Sequence, residues 1–233
     1  MTWGCAADTR LFTPARRSER RRAALGADGR AILLHVGRLA VEKDVETLIA
    51  ALRLTHAALG SAVVICVAGD GPEAARVRGE LPFARHLGFL DRETLADLYA
   101  DADLFLFPSP TETCGLVAVE AMASGLPVIA SDRGGARESV RDGLTGRVVA
   151  AGDAEGFARA ASELVRDPAR RRAMGERARA AGLEHDWERE LEALVERYAG
   201  VLGREPGPAR APGPGSRAPG VSRGSARSPS RPP

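Results

Sequence analysis

Residues 103–131 read DLFLFPSPTETCGLVAVEAMASGLPVIAS, and this stretch indicates how the chain folds. The apolar run at residues 104–107 is typical of a buried strand, and the prolines that follow end it. Gly115 then begins a helix of small residues, which Gly125 and Pro127 end before a second short apolar run. Strand, helix and strand in this order predict parallel strands joined by a helical crossover.

Two glutamates lie near the start of that helix. Glu112 is in the loop before it, and Glu120 is about two turns below the loop. A helix that begins directly after a strand presents free backbone N–H groups and a positive dipole end, which favour phosphate. One carboxylate can then reach the distal end of the ligand, while the other binds a ribose diol. The alternative is structural: Glu112 caps the helix, and Glu120 is a solvated helical charge.

The rest of the chain alternates apolar runs with helical patterns. Further strands are predicted at residues 31–37, 62–68, 86–90, 128–130 and 147–149. Further helices are predicted at residues 45–59, 92–100, 154–165, 169–181 and 187–202, with a short one ending near residue 81. This order predicts an α/β fold: a single Rossmann-like, doubly wound parallel sheet with C-terminal helices. Ligands bind such sheets beyond the carboxyl ends of the strands.

Composition divides the chain into three regions. Residues 1–26 are interpreted as a lead-in segment, 27–202 as the Rossmann-like domain, and 203–233 as a disordered tail rich in Pro, Gly, Arg and Ser. The tail carries six Arg and one Glu, but no aromatic residues interleave them, so we do not predict nucleic-acid binding. Peripheral contact with an anionic membrane is an alternative that the sequence does not indicate.

Cysteine and histidine usage predicts neither disulfides nor a metal site. Cys5, Cys66 and Cys114 show no paired spacing, and the four histidines are scattered. His35 and His86 fall within apolar strands, so we expect them to be packed core residues. No apolar stretch reaches the roughly 20 residues that span a bilayer, and the N-terminus lacks the blocks of a signal peptide. A cytoplasmic location is predicted.

The Glu112 segment resembles the signature of family 4 retaining glycosyltransferases, which use nucleotide-sugar donors. The resemblance covers both glutamates, the Cys-Gly-Leu turn at residues 114–116, the helix exit at 120–128 and the glycine pair at 134–135. Cys114 departs from the family, which usually has phenylalanine there. We expect the smaller side chain to loosen the loop that carries Glu112.

The resemblance assigns the diphosphate to the loop after the first strand. In the family the matching arginine and lysine bind the donor's diphosphate, so Arg38 and Lys43 would neutralise the leaving group, and with Glu112 they are the catalytic candidates. Lys43 is the only lysine in the chain, which agrees with a need for a compact positive charge. The alternative is a solvated loop with a Glu42–Lys43 neighbour pair. Asp44 replaces a frequent glycine, and its charge is expected to weaken phosphate binding.

The resemblance also outlines a donor pocket. Glu112 would hold the sugar's hydroxyls and Glu120 the ribose. The remaining donor-binding candidates are Gly37, Gly69, Phe89, Leu90, Gly115, Leu116 and Val117. For the 69–72 turn and the 88–90 segment, a simple turn or a core strand is an equally good interpretation. Neither a cofactor nor a metal is predicted.

The resemblance covers only the donor-binding half of the family's two-domain architecture. We expect no acceptor domain before Met1, and therefore a separate acceptor-binding domain or chain, or a truncated reading frame. The sequences of residues 8–14 and 37–43 most resemble those of GDP-mannose-dependent α-mannosyltransferases. Nothing in the loops selects guanine over uracil, so a UDP-sugar stays open as the donor. The alternative function is a non-catalytic nucleotide-sugar-binding module or a remnant.

The last predicted helix carries an apolar stripe at helical spacing. In relatives this helix packs on the first domain, so we expect part of the stripe to be exposed, unless the helix folds onto its own domain. The stripe consists of Trp187, Leu191, Leu194, Val195, Tyr198 and Leu202.

Overall fold

A computed structural model describes residues 5–201 of the chain. They contain a six-stranded sheet with strand order β3-β2-β1-β4-β5-β6, and every neighbouring pair is parallel. This confirms the predicted fold class. The strands are β1 (Ala31–Val36), β2 (Val63–Ala68), β3 (Arg85–Gly88), β4 (Leu104–Phe107), β5 (Val128–Ser131) and β6 (Gly146–Val149).

Helices cover both faces of the sheet. They are α1 (Glu19–Ala24), α2 (Val45–Leu59), α3 (Ala74–Glu80), α4 (Arg92–Asp101), α5 (Leu116–Ala123), α6 (Ala136–Ser139), α7 (Ala154–Arg166), α8 (Pro168–Glu184) and α9 (Trp187–Val201). The compact unit that contains the sheet ends at Ala193, within α9. The predicted boundary at residue 26 stays a prediction, and the predicted tail lies outside the described residues.

Alternating side chains of the central strand build two cores. Ile32 and Leu34 pack with residues of α4 and α5 on one face, whereas Leu33 packs with residues of α2 and α7 on the other. All six residues of β1 are buried, which explains why this strand is apolar throughout instead of alternating with polar residues. His35 is also buried, as predicted; its ring nitrogen lies 3.0 Å from the Leu106 carbonyl oxygen.

The structure corrects the prediction that no disulfide forms. Cys5 and Cys114 are bonded to each other with their Cα atoms 5.5 Å apart, although 109 positions separate them in the sequence. The lead-in segment returns to the body of the domain, where Ala7 exchanges backbone hydrogen bonds with His185 and Trp187. Spacing along the chain does not report this proximity in space. Cys66 is buried and unpaired.

The last helix leaves part of its apolar stripe exposed, as predicted. Trp187 and Leu191 belong to the compact unit with the sheet, and they are 49% and 45% exposed. Leu202 lies outside the described residues. Among residues 5–201, no helix combines the length and apolar character needed to cross a membrane.

Candidate functional site

Two loops at the carboxyl edge of the sheet pack backbone against backbone. Gly69, which follows β2, has φ +136°, and a Cβ there would lie 1.9 Å from the Gly37 carbonyl oxygen after β1. Leu39 N–H donates to the Asp70 carbonyl oxygen at 3.0 Å. A side chain at Gly69 would therefore force the loops apart, so this glycine has a structural reason in addition to its predicted role.

A cavity of about 510 Å³ opens beside these loops, beyond the ends of β1, β2 and β3. Five predicted donor-binding residues line it, namely Gly37, Arg38, Gly69, Phe89 and Leu90. Strand β3 ends at Gly88, two residues earlier than predicted. Phe89 consequently lies outside the sheet and is 84% exposed, so the interpretation of Phe89 as a core-strand residue is wrong. Its ring is free to contact a ligand in the cavity.

A second glycine contact positions the loop between β4 and α5. Gly115 has φ +74°, and a Cβ there would lie 2.7 Å from the backbone of Ala136. Gly135 N–H donates to the Glu112 carbonyl oxygen at 2.7 Å. Helix α5 begins after Gly115 with no side-chain cap, so Glu112 is not a helix cap. Among the described residues, the N–H groups of Leu116 and Val117 have no acceptor, which leaves them available to an anion.

The structure brings Lys43 and Glu112 together. The Lys43 Nζ lies 2.6 Å from the Glu112 Oε1, and the two side chains are 26% and 20% exposed. The Thr111 hydroxyl donates to the Glu42 carbonyl oxygen at 2.5 Å, which joins the same two loops a second time. Glu42 itself pairs with the exposed Arg38 at 3.7 Å. The alternative of a Glu42–Lys43 neighbour pair is therefore wrong, and the three catalytic candidates lie on two loops in direct contact.

Asp44 has a structural use next to Lys43. Its φ is +55°, the left-handed region that glycine favours and aspartate tolerates. Its side chain accepts a hydrogen bond from Thr47 N–H at 3.2 Å and caps α2. The carboxylate is thus engaged by the helix N-terminus; its effect on phosphate binding stays a prediction.

Glu120 is buried on α5. The alternative that it is a solvated helical charge is therefore wrong. Only 8% of the residue is exposed. Burial raises the pKa of its carboxyl to about 7, and the nearby Arg92 and Tyr99 oppose this rise. Tyr99 is fully buried, and its hydroxyl donates to the Val117 carbonyl oxygen at 3.2 Å. Sequence reasoning missed Arg92 and Tyr99, although their spacing along α4 puts them on one helical face.

Cys114 ties the Glu112 loop instead of loosening it. Its side chain is bonded to Cys5, and the residue is exposed directly before Gly115. The expectation that Cys114 loosens the loop is therefore wrong. Within the described part of the chain, no group of three or more His, Cys, Asp or Glu residues is placed to bind a metal.

The chain is similar to known proteins over most of its length. Residues 17–181 match the family described as "Glycosyl transferases group 1". A GDP-mannose-dependent alpha-mannosyltransferase of Mycolicibacterium smegmatis is 38% identical over 203 residues, which cover 87% of this chain and 52% of that protein.

Two solved structures share the fold over most of the chain. A sucrose-phosphate synthase of Thermosynechococcus elongatus superposes with a TM-score of 0.73 at 32% identity, covering 85% of this chain and 52% of that one. Anabaena Alr3699/HepE, solved with UDP and glucose, gives a TM-score of 0.73 at 25% identity, covering 84% and 55%. This chain thus spans about half the length of these three relatives. The chain belongs to the group 1 family of glycosyl transferases.

Proposed function

We propose that this chain is the donor-binding half of a retaining glycosyltransferase and binds a nucleoside-diphosphate hexose. The observation that carries the proposal is the Lys43–Glu112 pair, 2.6 Å apart at the carboxyl edge of the sheet. The residues with predicted roles at the diphosphate and at the sugar come from distant parts of the sequence. Because these residues are in contact, the diphosphate and the sugar, which the bond broken in the reaction joins, can be bound side by side.

The diphosphate would bind between Lys43 and the start of α5. Lys43 supplies a compact positive charge, and the exposed Arg38 on the same loop can turn toward the phosphates. The free N–H groups of Leu116 and Val117 add donors with the correct polarity. These groups would stabilise the negative charge that develops on the leaving nucleoside diphosphate.

The nucleoside would occupy the cavity and its border. Phe89 offers an exposed ring on which a base can stack. Glu120 would accept hydrogen bonds from the ribose hydroxyls, and Glu112 from the hydroxyls of the sugar. In the reaction, the acceptor oxygen would bond to the anomeric carbon on the face from which the diphosphate oxygen departs, and the acceptor's proton would leave with the diphosphate.

GDP-mannose is the proposed donor. It is supported by the 38% identical Mycolicibacterium relative, whose name specifies GDP-mannose. A UDP-sugar is the second candidate, because the HepE structure was solved with UDP and glucose. We also propose that a separate domain or chain supplies the acceptor site, since relatives are about twice as long. The alternative function is a nucleotide-sugar-binding module without transfer activity. A cytoplasmic location stays a prediction.

Calorimetry tests the proposal. GDP, UDP, GDP-mannose and UDP-glucose are titrated into the full chain and into the Lys43→Ala and Arg53→Ala variants. Arg53 is a matched control, because it is 61% exposed and pairs only with Glu80 among the described residues. We expect binding that Lys43→Ala weakens and Arg53→Ala does not. Absence of binding by every nucleotide at millimolar concentration would contradict the proposal.

A further inference from the structure

A second cavity, of about 380 Å³, lies at the opposite edge of the sheet from the donor site. Asp103 directly precedes β4, and the 124–126 turn leads into β5, so both line the cavity at the amino ends of these strands. Arg17, Arg171 and Arg172 complete its polar wall.

Positive charge exceeds negative charge around this cavity. Arg17 donates to the Asp103 Oδ1 at 3.0 Å, and Arg22 donates to the Oδ2 at 2.9 Å. The Asp103 carboxylate is therefore shared between two guanidinium groups. Glu19, also on the wall, makes only long contacts with the same two arginines, at 3.4 and 3.5 Å. Among the described residues that line the cavity, no carboxylate forms an ion pair with the remaining arginines, Arg171 and Arg172.

Arg171 and Arg172 have no ion pair among residues 5–201. The Nη1 of Arg171 donates to the carbonyl oxygens of Leu164 and Val165, at the end of α7. This leaves its other N–H groups without a protein acceptor in the described chain. Burial lowers the pKa of Arg171, and the like charges of Arg172, Arg17 and Arg22 lower it further while Asp103 opposes them. A bound anion would relieve both effects.

The wall contains one more unsatisfied group. Ser124 is 3% exposed, and its buried hydroxyl has no hydrogen-bond partner in the described part of the chain. Such a group is uncommon in a folded protein unless a water or ligand completes it. Ser124 lines the same cavity as Arg171 and Arg172.

We propose that this cavity is a binding site for a small phosphate-bearing anion, separate from the donor site. Guanidinium groups suit the planar, bidentate recognition of phosphate oxygens, and the hydroxyl of Ser124 can donate to one of them. The site needs no nucleoside, because its wall offers charge and hydrogen bonds but no exposed aromatic ring. The recessed cavity favours a free phosphomonoester or diphosphate over a lipid headgroup.

The test separates this site from the donor site. Pyrophosphate and glycerol 3-phosphate are titrated by calorimetry into the full chain carrying Lys43→Ala, so that binding at the donor site is reduced. We expect saturable binding that Arg172→Gln weakens about tenfold, the effect of one lost charge-assisted hydrogen bond. Arg170→Gln, on the same helix but outside the cavity, is expected to leave the affinity unchanged.

Ser124→Ala is a second variant that removes no charge. It is expected to weaken the binding without lowering the melting temperature, because the hydroxyl has no partner in the free protein. Equal effects of Arg172→Gln and Arg170→Gln would overturn the proposal, as would no binding of either phosphate compound. Stronger binding to vesicles of phosphatidylglycerol than to glycerol 3-phosphate would also overturn it, since it would identify a membrane surface.

Discussion

Replacing Glu112 and Lys43 separately should change nucleoside-diphosphate affinity in opposite directions. GDP carries the diphosphate that Lys43 is proposed to bind, but lacks the sugar assigned to Glu112. In the free protein the Glu112 carboxylate holds Lys43 Nζ at 2.6 Å. Glu112→Gln removes this competitor and a negative charge near the phosphates, so GDP should bind more tightly. Lys43→Ala removes the cation and should weaken GDP binding.

The expected size of the Lys43 effect follows from the burial of the pair. The two side chains are 26% and 20% exposed, so solvent screens them less than a surface pair. A hydrogen bond to a charged group contributes about 1.5–3 kcal/mol. Lys43→Ala should therefore raise the Kd for GDP by about 10- to 150-fold. The gain from Glu112→Gln should be smaller, because Lys43 then exchanges a glutamine oxygen or water for the phosphate.

The assay is calorimetry at constant ionic strength, with GDP and GDP-mannose titrated into each variant. For GDP-mannose, Glu112→Gln should lose affinity, because the contact to the sugar is removed. The Arg53→Ala control should match wild type for both ligands. A Glu112→Gln variant that binds GDP as weakly as Lys43→Ala would refute the reasoning, since the pair would then be a structural support for the loops and not a binding device.

Three further predictions concern Glu120, the disulfide and Phe89. The Glu120 carboxyl loses its proton near pH 4.5 in the unfolded chain but only near pH 7 in the folded protein. Between these values the folded state binds one more proton than the unfolded state. The free energy of unfolding should therefore fall by about 3 kcal/mol as the pH rises through this window. In urea denaturation, the Glu120→Gln variant should not lose this stability as the pH rises. The same dependence of the unfolding free energy on pH in variant and wild type would contradict the prediction. Cys5→Ser should lower the free energy of unfolding by roughly 2–5 kcal/mol. A reductant should have the same effect on the wild type but none on the variant. A wild type whose stability does not change with reductant would contradict a stabilising disulfide. Phe89→Ala should keep the melting temperature but weaken GDP binding by about 1–3 kcal/mol. Val41 is also apolar and 76% exposed, and Val41→Ala should leave GDP binding unchanged. The same GDP affinity for both variants in calorimetry would exclude stacking of the base on Phe89.

The sequence was sufficient to predict the sheet, because parallel strands buried on both faces are apolar throughout. Strands β1 and β2 are buried along their whole length, and the predicted limits differ from the observed ones by one residue. The third strand was less well predicted. Gly88 has φ +65° and ends it, but the apolar Phe89 and Leu90 extend the pattern past that point.

Parts of the candidate site could be predicted, since the loops that follow parallel strands meet at one edge. The contact between Lys43 and Glu112 could not, because it depends on how far each loop reaches. The Cys5–Cys114 bond could not be predicted either, since it depends on the return of the lead-in segment to the domain. The burial of Glu120 depends on the packing of α4 against α5. The spacing of apolar residues along α5 alone does not predict this packing.

Lys43 is the only lysine, and this permits a direct test of where the nucleotide sugar binds. The rate at which an amine-reactive acyl ester modifies Lys43 is measured by peptide mass spectrometry as GDP-mannose is added, with the N-terminal amine as internal reference. We expect the rate at Lys43 to fall in proportion to occupancy while the rate at the N-terminus stays constant. Unchanged modification of Lys43 at concentrations where calorimetry shows saturation would contradict binding of the diphosphate by Lys43.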